Sequence, residues 1–426
     1  MLRHKISRRR FLSNSILGAA APLVIPGHVF AHDGKPGAND RIAIGAIGVG
    51  NRAKLLLDQT PEAGQIVALC DCNLPKAARY AEQKKVGLPP FSDYRKLLDR
   101  KDIDAVIVAT AEFQRVLPCI RACQAGKDVY AEKPLTLYIR EGRALVNAVR
   151  KYNRILQVGS QQRSMAINDV ACAFVRSGGL GKQLAVEGVN YPGPGKMPTE
   201  PLPEEHCPKT FDWNMWLNQA AMRPYNNAYL KWGQWKEFAG GEMTNWGAHG
   251  VDQIQWALGM SQSGPVELWP LEQPGEVAVR YATGVVVKFI RAKAPMGGAV
   301  FIGELGKLEI NRNKVTSEPK EIAAGLMAKL NGTDEEKKWS DKTALWQARW
   351  HLQNWLDCVR SRALPVADVE IGHRSISVCH LVNITRDLGR KLAWDPVKED
   401  FVGDEQASAK LVRARRKGFE LPELSA

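Results

Sequence analysis

A chain of 426 residues with 45% hydrophobic and 24% charged side chains has the composition of a folded globular protein rather than of a disordered or membrane one. Its length exceeds what one hydrophobic core fills, so two domains are expected. The formal charge of +14 comes without interleaved aromatics or a nucleic-acid-binding motif, so nucleic acid is not an expected partner.

At the start of the chain, Ser7-Arg8-Arg9-Arg10-Phe11-Leu12 precedes an apolar run, Ile16 to Val24, that is too short to span a bilayer as a stable anchor. This pattern reads as a twin-arginine signal over residues 1–31, with Val29 and Ala31 as the small residues before the cleavage site and residues 32–40 as a linker. The expectation is a periplasmic or otherwise exported protein that uses the twin-arginine export machinery as a partner and keeps no stable membrane anchor. A basic tail before an ordinary helix is the plain alternative.

From Arg41, short apolar runs alternate with amphipathic stretches, which predicts parallel strands joined by crossover helices. Strands are expected at Ile42 to Gly48, Ile66 to Cys70, Ala105 to Ala109, Val129 to Ala131 and Ile155 to Gly159. Helices are expected at Ala53 to Asp58, Lys76 to Lys85, Tyr94 to Asp99, Val116 to Ala125 and Arg140 to Tyr152, with Gly126 as a C-terminal stop. Residues 41–162 are thus assigned to a Rossmann dinucleotide-binding domain.

After Gly159 the texture changes to a helix, Asp169 to Arg176, and longer β-branched segments at Leu184 to Tyr191 and Val277 to Ile290, which suggest a larger, partly antiparallel sheet. Between them lie a proline-rich loop, Pro192 to Pro208, and a stretch carrying Trp213, Trp216, Trp232, Trp235 and Trp246. Loops of that length often bind a ligand or another subunit. Helical periodicity returns from Trp346 to Arg390, and a polar tail follows. Its basic cluster, Lys410, Arg413, Arg415, Arg416 and Lys417, is expected on a solvated or docking helix. Residues 163–426 are assigned to an α+β domain with a large open sheet, giving an α/β protein overall. Cys70-x-Cys72 and Cys119-x3-Cys123 lack a second pair at zinc-binding spacing, so the eight cysteines are expected as free thiols and no metal is expected.

Three stretches carry chemistry. Gly48-Val49-Gly50-Asn51-Arg52-Ala53 follows a strand and opens a helix, so its amides can approach a pyrophosphate. Asp71, about twenty residues on at the end of the second strand, is placed for ribose hydroxyls and favours NAD over NADP; Arg52 keeps NADP open. Glu132-Lys133-Pro134 stands at the carboxyl edge of the sheet, where Lys133 can assist a hydroxyl's proton loss. In the run Gly240 to Asp252, a helix would place Asn245 and His249 on one face, so that one side chain orients the other as a base.

Taken in this order, these sites resemble the Gfo/Idh/MocA oxidoreductase family, in particular its exported members. The resemblance rests also on Ala105 to Thr110 (AVIVAT), Ala125 to Pro134 (AGKDVYAEKP), Val158 to Arg163 (VGSQQR), Asn354 to Arg362 (NWLDCVRSR) and Leu388 to Pro396 (LGRKLAWDP). It implies a dinucleotide held by Gly48, Gly50, Asn51 and Asp71, with Thr110, Glu132 and the loop carrying Glu112 near the nicotinamide end. It further implies Lys133 beside the reacting centre, His249 as acid/base, and Arg163 and Asp252 toward the substrate. Family members commonly form dimers or tetramers, so a homo-oligomer is expected.

Two departures stand out. Asn245 replaces the family's usual Asp four residues before the histidine, which would leave an imidazolium without a carboxylate partner. Ala111 to Arg115 (AEFQR) replaces the usual loop beside the nicotinamide. The leading expectation is an oxidoreductase acting on a sugar, polyol or glycoside carbon with a tightly held NAD. Two others remain: a glycosidase working by transient C3 oxidation and elimination, which typically carries a different sequence at Glu132-Lys133-Pro134, and a redox-silent carbohydrate-binding protein that keeps the dinucleotide structurally.

Overall fold

The first apolar runs become five short strands: β1 (Ile42–Ile47), β2 (Gly64–Cys70), β3 (Ala105–Val108), β4 (Asp128–Ala131) and β5 (Leu156–Val158). All pair in parallel, in the order β2-β1-β3-β4-β5. The computed structural model describes residues 40–423 except 88, 199, 291–296, 313 and 334–345, so the expected signal over residues 1–31 and nearly all of the expected linker lie outside the described residues.

Joining helices are α1 (Asn51–Asp58), α2 (Leu74–Lys84), α3 (Tyr94–Leu98), α4 (Val116–Gln124) and α5 (Ile139–Lys151). Asn73 caps α2 by accepting from the Lys76 amide, with Pro75 in its first turn. Gly126 stops α4 at φ 75°, and the Lys127 amide reaches back to the Ala122 carbonyl. The strands are continuous apolar runs because both faces of the sheet are covered. Val106, Val108, Val129 and Ala131 pack toward α4 and α5. Ile44, Ala46, Ile107 and Tyr130 pack on the other face against α1 and Trp355.

Trp355 belongs to a helix from far along the chain. The stretch from Trp346 to Arg390 forms two helices rather than one continuous pattern, broken around Arg362 (φ 63°) and Pro365. In between stand α6 (Ala166–Arg176), α7 (Trp213–Leu217), α8 (Glu242–Asn245), α9 (Gly247–Ala257), α10 (Lys320–Ala328) and then these two, α11 (Trp346–Ser361) and α12 (Val369–Leu388).

The second sheet has nine strands: β6 (Gln183–Val189), β7 (Pro265–Pro270), β8 (Val277–Tyr281), β9 (Val286–Ile290), β10 (Ala299–Gly303), β11 (Gly306–Asn311), β12 (Lys314–Glu318), β13 (Leu392–Asp395) and β14 (Asp400–Phe401). Their order is β12-β11-β10-β6-β9-β8-β7-β13-β14, and among the described residues only β6 and β9 pair in parallel within it. The segment Val277 to Ile290 is a hairpin, β8 and β9, turning through Gly284 at φ 87°. Helices α6, α9 and α12 pack together with this sheet through Ala171, Ile254 and Ile376. Both sheets lie in one compact unit from Ile42 onward.

The basic tail is docked, but not as a helix over Arg413 to Lys417. Arg415 pairs with the buried Glu141 at 2.7 Å, while Arg413 reaches the Phe113 and Glu237 carbonyls and Arg416 the Asn218 carbonyl. Those fixed oxygens hold the chain extended where intrachain helical bonds would otherwise form. All eight cysteines are free. Among the described residues no helix is long and apolar enough to cross a membrane, and no His/Cys/Asp/Glu group could hold a metal.

Candidate active site

In the parallel sheet the chain leaves β1 toward β2 on one side and reaches β3 on the other, so a crevice opens at the carboxyl ends of β1 and β3. Gly48 sits there at φ 85°, and a Cβ on it would stand 2.9 Å from the Thr110 amide. Only glycine fits that turn. The following helix, α1, has Gly50 as its N-cap without a side-chain cap, so its first amides are open to an anion.

The crevice continues as a groove of about 470 Å3, lined by Gly48, Gly50, Asn51, Arg52, Asp71, Thr110, Glu132, Lys133 and Asn245. Asp71 already accepts the Val49 amide at 2.7 Å and the Asn73 amide at 2.8 Å, tying the glycine turn to the end of β2. Arg52 is turned away from that end: its Nε donates to Glu132 at 2.8 Å. Glu132, 2% exposed, also accepts from Gln161 at 2.9 Å and from the Lys133 amide at 3.0 Å. Glu132 thus serves as an anchor for the Glu-Lys-Pro turn.

Lys133 Nζ donates to Asn245 Oδ1 at 2.7 Å and to the Asn245 carbonyl at 3.2 Å. The Asn245 amide nitrogen faces Glu242, 3.1 Å away, which fixes which end of the amide meets the lysine. Burial lowers the Lys133 ammonium from its ordinary 10.5 to about 8, against the pull of Glu132.

Four expected site residues stand elsewhere. Asn245 and His249 do follow in adjoining helices, α8 and α9, yet no hydrogen bond joins them among the described residues; Lys133 has taken the amide oxygen instead. His249 does not line the groove, and its pKa lies well below the ordinary value through burial and the nearby charges of Lys133, Arg312 and Arg52. Glu112, expected beside the cofactor, does not line the groove. Its Oε2 accepts the Gly240 amide and the Thr244 hydroxyl, both at 3.2 Å, and burial raises its carboxyl to about 7. Arg163 and Asp252, expected toward the substrate, hold each other at 2.8 Å with both side chains almost fully buried. Asp252 also accepts the Ser375 hydroxyl, and Arg163 lies over the Trp256 ring.

The tryptophan-bearing stretch, read from the sequence only as a loop that could bind a ligand or subunit, supplies part of the groove lining: Phe211, Met215, Trp216, Leu230 and Trp232. They are held there by main-chain bonds, Asp212 N–H to the Cys72 carbonyl and Leu74 N–H to the Thr210 carbonyl. The tryptophan-rich composition was a visible signal; its docking onto the loop after β2 was not. Asn73 and Lys76 also line the groove.

The NAD-binding Rossmann model of the Gfo/Idh/MocA oxidoreductase family matches residues 42–160, and the family's C-terminal alpha/beta domain model matches residues 195–421. The chain belongs to the Gfo/Idh/MocA family. Inositol 2-dehydrogenase of Salmonella typhimurium is 26% identical over 151 residues, 35% of this chain and 44% of that one. Levoglucosan dehydrogenase of Pseudarthrobacter phenanthrenivorans is 30% identical over 111 residues, 26% and 28% of the two chains. The matched region therefore spans less than half the length of these relatives.

Solved structures extend the likeness in fold over most of the chain. A levoglucosan dehydrogenase in complex with NADH and levoglucosan has a TM-score of 0.60 at 17% identity, covering 83% of this chain and 99% of that one. The WlbA dehydrogenase of Bordetella pertussis, with NADH and UDP-GlcNAcA, has 0.58 at 18%, covering 84% and 99%. The expected architecture, a Rossmann domain joined to a large, mostly antiparallel sheet, is the one observed.

Proposed function

We propose that this chain is an NAD-dependent oxidoreductase acting on a CH–OH group of a sugar, polyol or glycoside. The observation that carries the proposal is Lys133 Nζ: a partly buried amine just past the carboxyl end of β4, held by Asn245 and bordering the groove that begins at the glycine turn. The groove suits NAD. Its turn excludes any side chain at Gly48, the start of α1 is open, and Asp71 stands at the end of β2 for a ribose. Arg52, paired with Glu132, is withdrawn from the position that would favour a 2′-phosphate.

Bound there, NAD supplies a two-electron acceptor or donor for the carbinol carbon. Lys133 in its neutral form takes the hydroxyl proton during oxidation, and as ammonium returns it during reduction. Asn245 positions the amine, and Glu132 and Arg52 hold the turn beneath it. We keep His249, buried and neutral, as a second proton-handling group, although it does not line the groove.

Inositol and levoglucosan dehydrogenases among the relatives support a polyol or anhydrosugar as substrate class. The test is a panel of myo-inositol, levoglucosan and aldoses with purified protein and NAD, followed by NADH absorbance. Substrate-dependent NADH formation that Lys133→Met cuts at least about 100-fold, with NAD binding retained, supports the reading. Bound NAD that no member reduces favours the redox-silent alternative, and glycoside cleavage without net NADH favours the glycosidase.

The proposal includes export by the twin-arginine route, supported by Ser7 to Leu12, and a homo-oligomer, dimer or tetramer. Cell fractionation of an Arg8→Lys/Arg9→Lys variant tests the first; retention inside the cell is expected. Light scattering of the native chain tests the second.

A further inference from the structure

Behind the Gly240–Gly241 turn lies a second cavity of about 480 Å3, which shares no lining residue with the cofactor groove. Its charge is one-sided. Lys196, Lys236, Arg386 and Lys410 line it against the single carboxylate of Asp387. That carboxylate is already divided, with Lys236 Nζ at 2.8 Å and Lys410 Nζ at 3.0 Å.

Arg386 has no carboxylate partner among the described residues. Its guanidinium donates to the Gly275 carbonyl at 2.8 Å, to Asn383 Oδ1 at 3.0 Å and to Asn190 Oδ1, all neutral oxygens. Burial lowers its pKa to about 10, which reflects the same lack of counter-charge. A fourth donor reaches Met243 Sδ at 3.9 Å, so of the guanidinium's five donors one Nη1 hydrogen is left for a carboxylate or phosphate oxygen. Leu137, Ile139, Ile384 and Val412 give the cavity an apolar wall, with Tyr138, His380 and Asn383 also in its lining. The volume is that of a site for a small organic molecule rather than a bare ion.

We propose that this cavity binds a small organic anion, a carboxylate or phosphate carried on a sugar-sized body. The oxyanion lies between Arg386 and the lysine ammoniums, and the body lies on the apolar wall. Asn383 donates from α12 to the Gly240 carbonyl at 2.8 Å, so the ligand would rest against the back of the turn that leads to Asn245.

Calorimetric titration of the full chain with gluconate, glucose 6-phosphate and uncharged glucose tests this. At least one anion is expected to bind with Kd of about 1 mM or below, with glucose silent; the tighter of the two identifies carboxylate or phosphate as the preferred head. Lys196→Gln with Lys410→Gln should weaken binding about tenfold, and Asp387→Asn, which releases two ammoniums, should strengthen it. These side chains stand at the cavity mouth, and Asp387 and Lys410 form only exposed ion pairs, so the fold should tolerate the changes. NAD titrations of the same variants should match the unsubstituted chain, which separates failure here from failure of the oxidoreductase reading. Absence of binding by both anions, equal binding of glucose, or indifference to both sets of substitutions overturns the proposal.

Discussion

The amine of Lys133 meets the side-chain oxygen of Asn245 at 2.7 Å, across 112 residues of sequence. An amide there leaves the lysine without the counter-charge that an aspartate would supply. Burial therefore lowers its pKa unopposed by that residue, from 10.5 to about 8.

This sets the pH dependence. Oxidation needs the neutral amine, so kcat/KM should rise with pH and level above about 8. Reduction needs the ammonium and should fall through the same region. Asn245→Asp places an anion beside the ammonium and stabilises it, so both limbs should move up by about one pH unit or more. Matched pH profiles of the two proteins measure this; limbs that stay in place remove Lys133 from the proton transfer.

Asp71 has a structural duty as well as the one expected of it. Its carboxylate holds the Val49 and Asn73 amides, so Asp71→Ala should cost about 1–3 kcal/mol by leaving them unpaired, and should weaken NAD binding by about tenfold or more. Asp71→Asn keeps an acceptor oxygen and should recover part of the stability. Chemical denaturation and NAD titration on both variants check the two effects separately.

Trp355 is 0% exposed and meets the Tyr130 ring edge-on at 5.7 Å, closing the face of the parallel sheet opposite α4 and α5. Trp355→Ala should destabilise the chain by about 3–5 kcal/mol, far more than its distance from the groove would suggest. Urea unfolding followed by circular dichroism measures it.

What was legible in the sequence follows from locality. The strands beside the groove are buried on both faces, so they appear as uninterrupted apolar runs, and Gly48 and Asp71 stand at their ends where the ligand crevice must be. The covering face was not legible, because Trp355 reaches Tyr130 over more than 200 residues and no periodicity encodes that approach. The same holds for Phe211 and Trp216 in the groove wall, and for the tail arginines, whose extended path is set by Glu141 rather than by local preference. Charged residues near a motif were the hardest to place. Glu112, Arg163 and Asp252 were expected at the site from the family resemblance, yet each is engaged by a partner brought in from elsewhere, Glu112 through Oε2 alone.

That distinction is testable at Arg163. Its guanidinium and the Asp252 carboxylate are 2.8 Å apart and both about 3–4% exposed, so removing one strands the other in a medium that solvates it poorly. Arg163→Met should therefore cost about 3–5 kcal/mol of stability. Replacing both, Arg163→Met with Asp252→Leu, should recover a large part of it, because the double change buries no lone charge. A substrate-binding arginine would behave differently: KM would rise sharply, stability would change little, and the second substitution would rescue nothing. Thermal unfolding of the single and double variants, read beside KM for any substrate found, decides between an internal brace and a substrate contact.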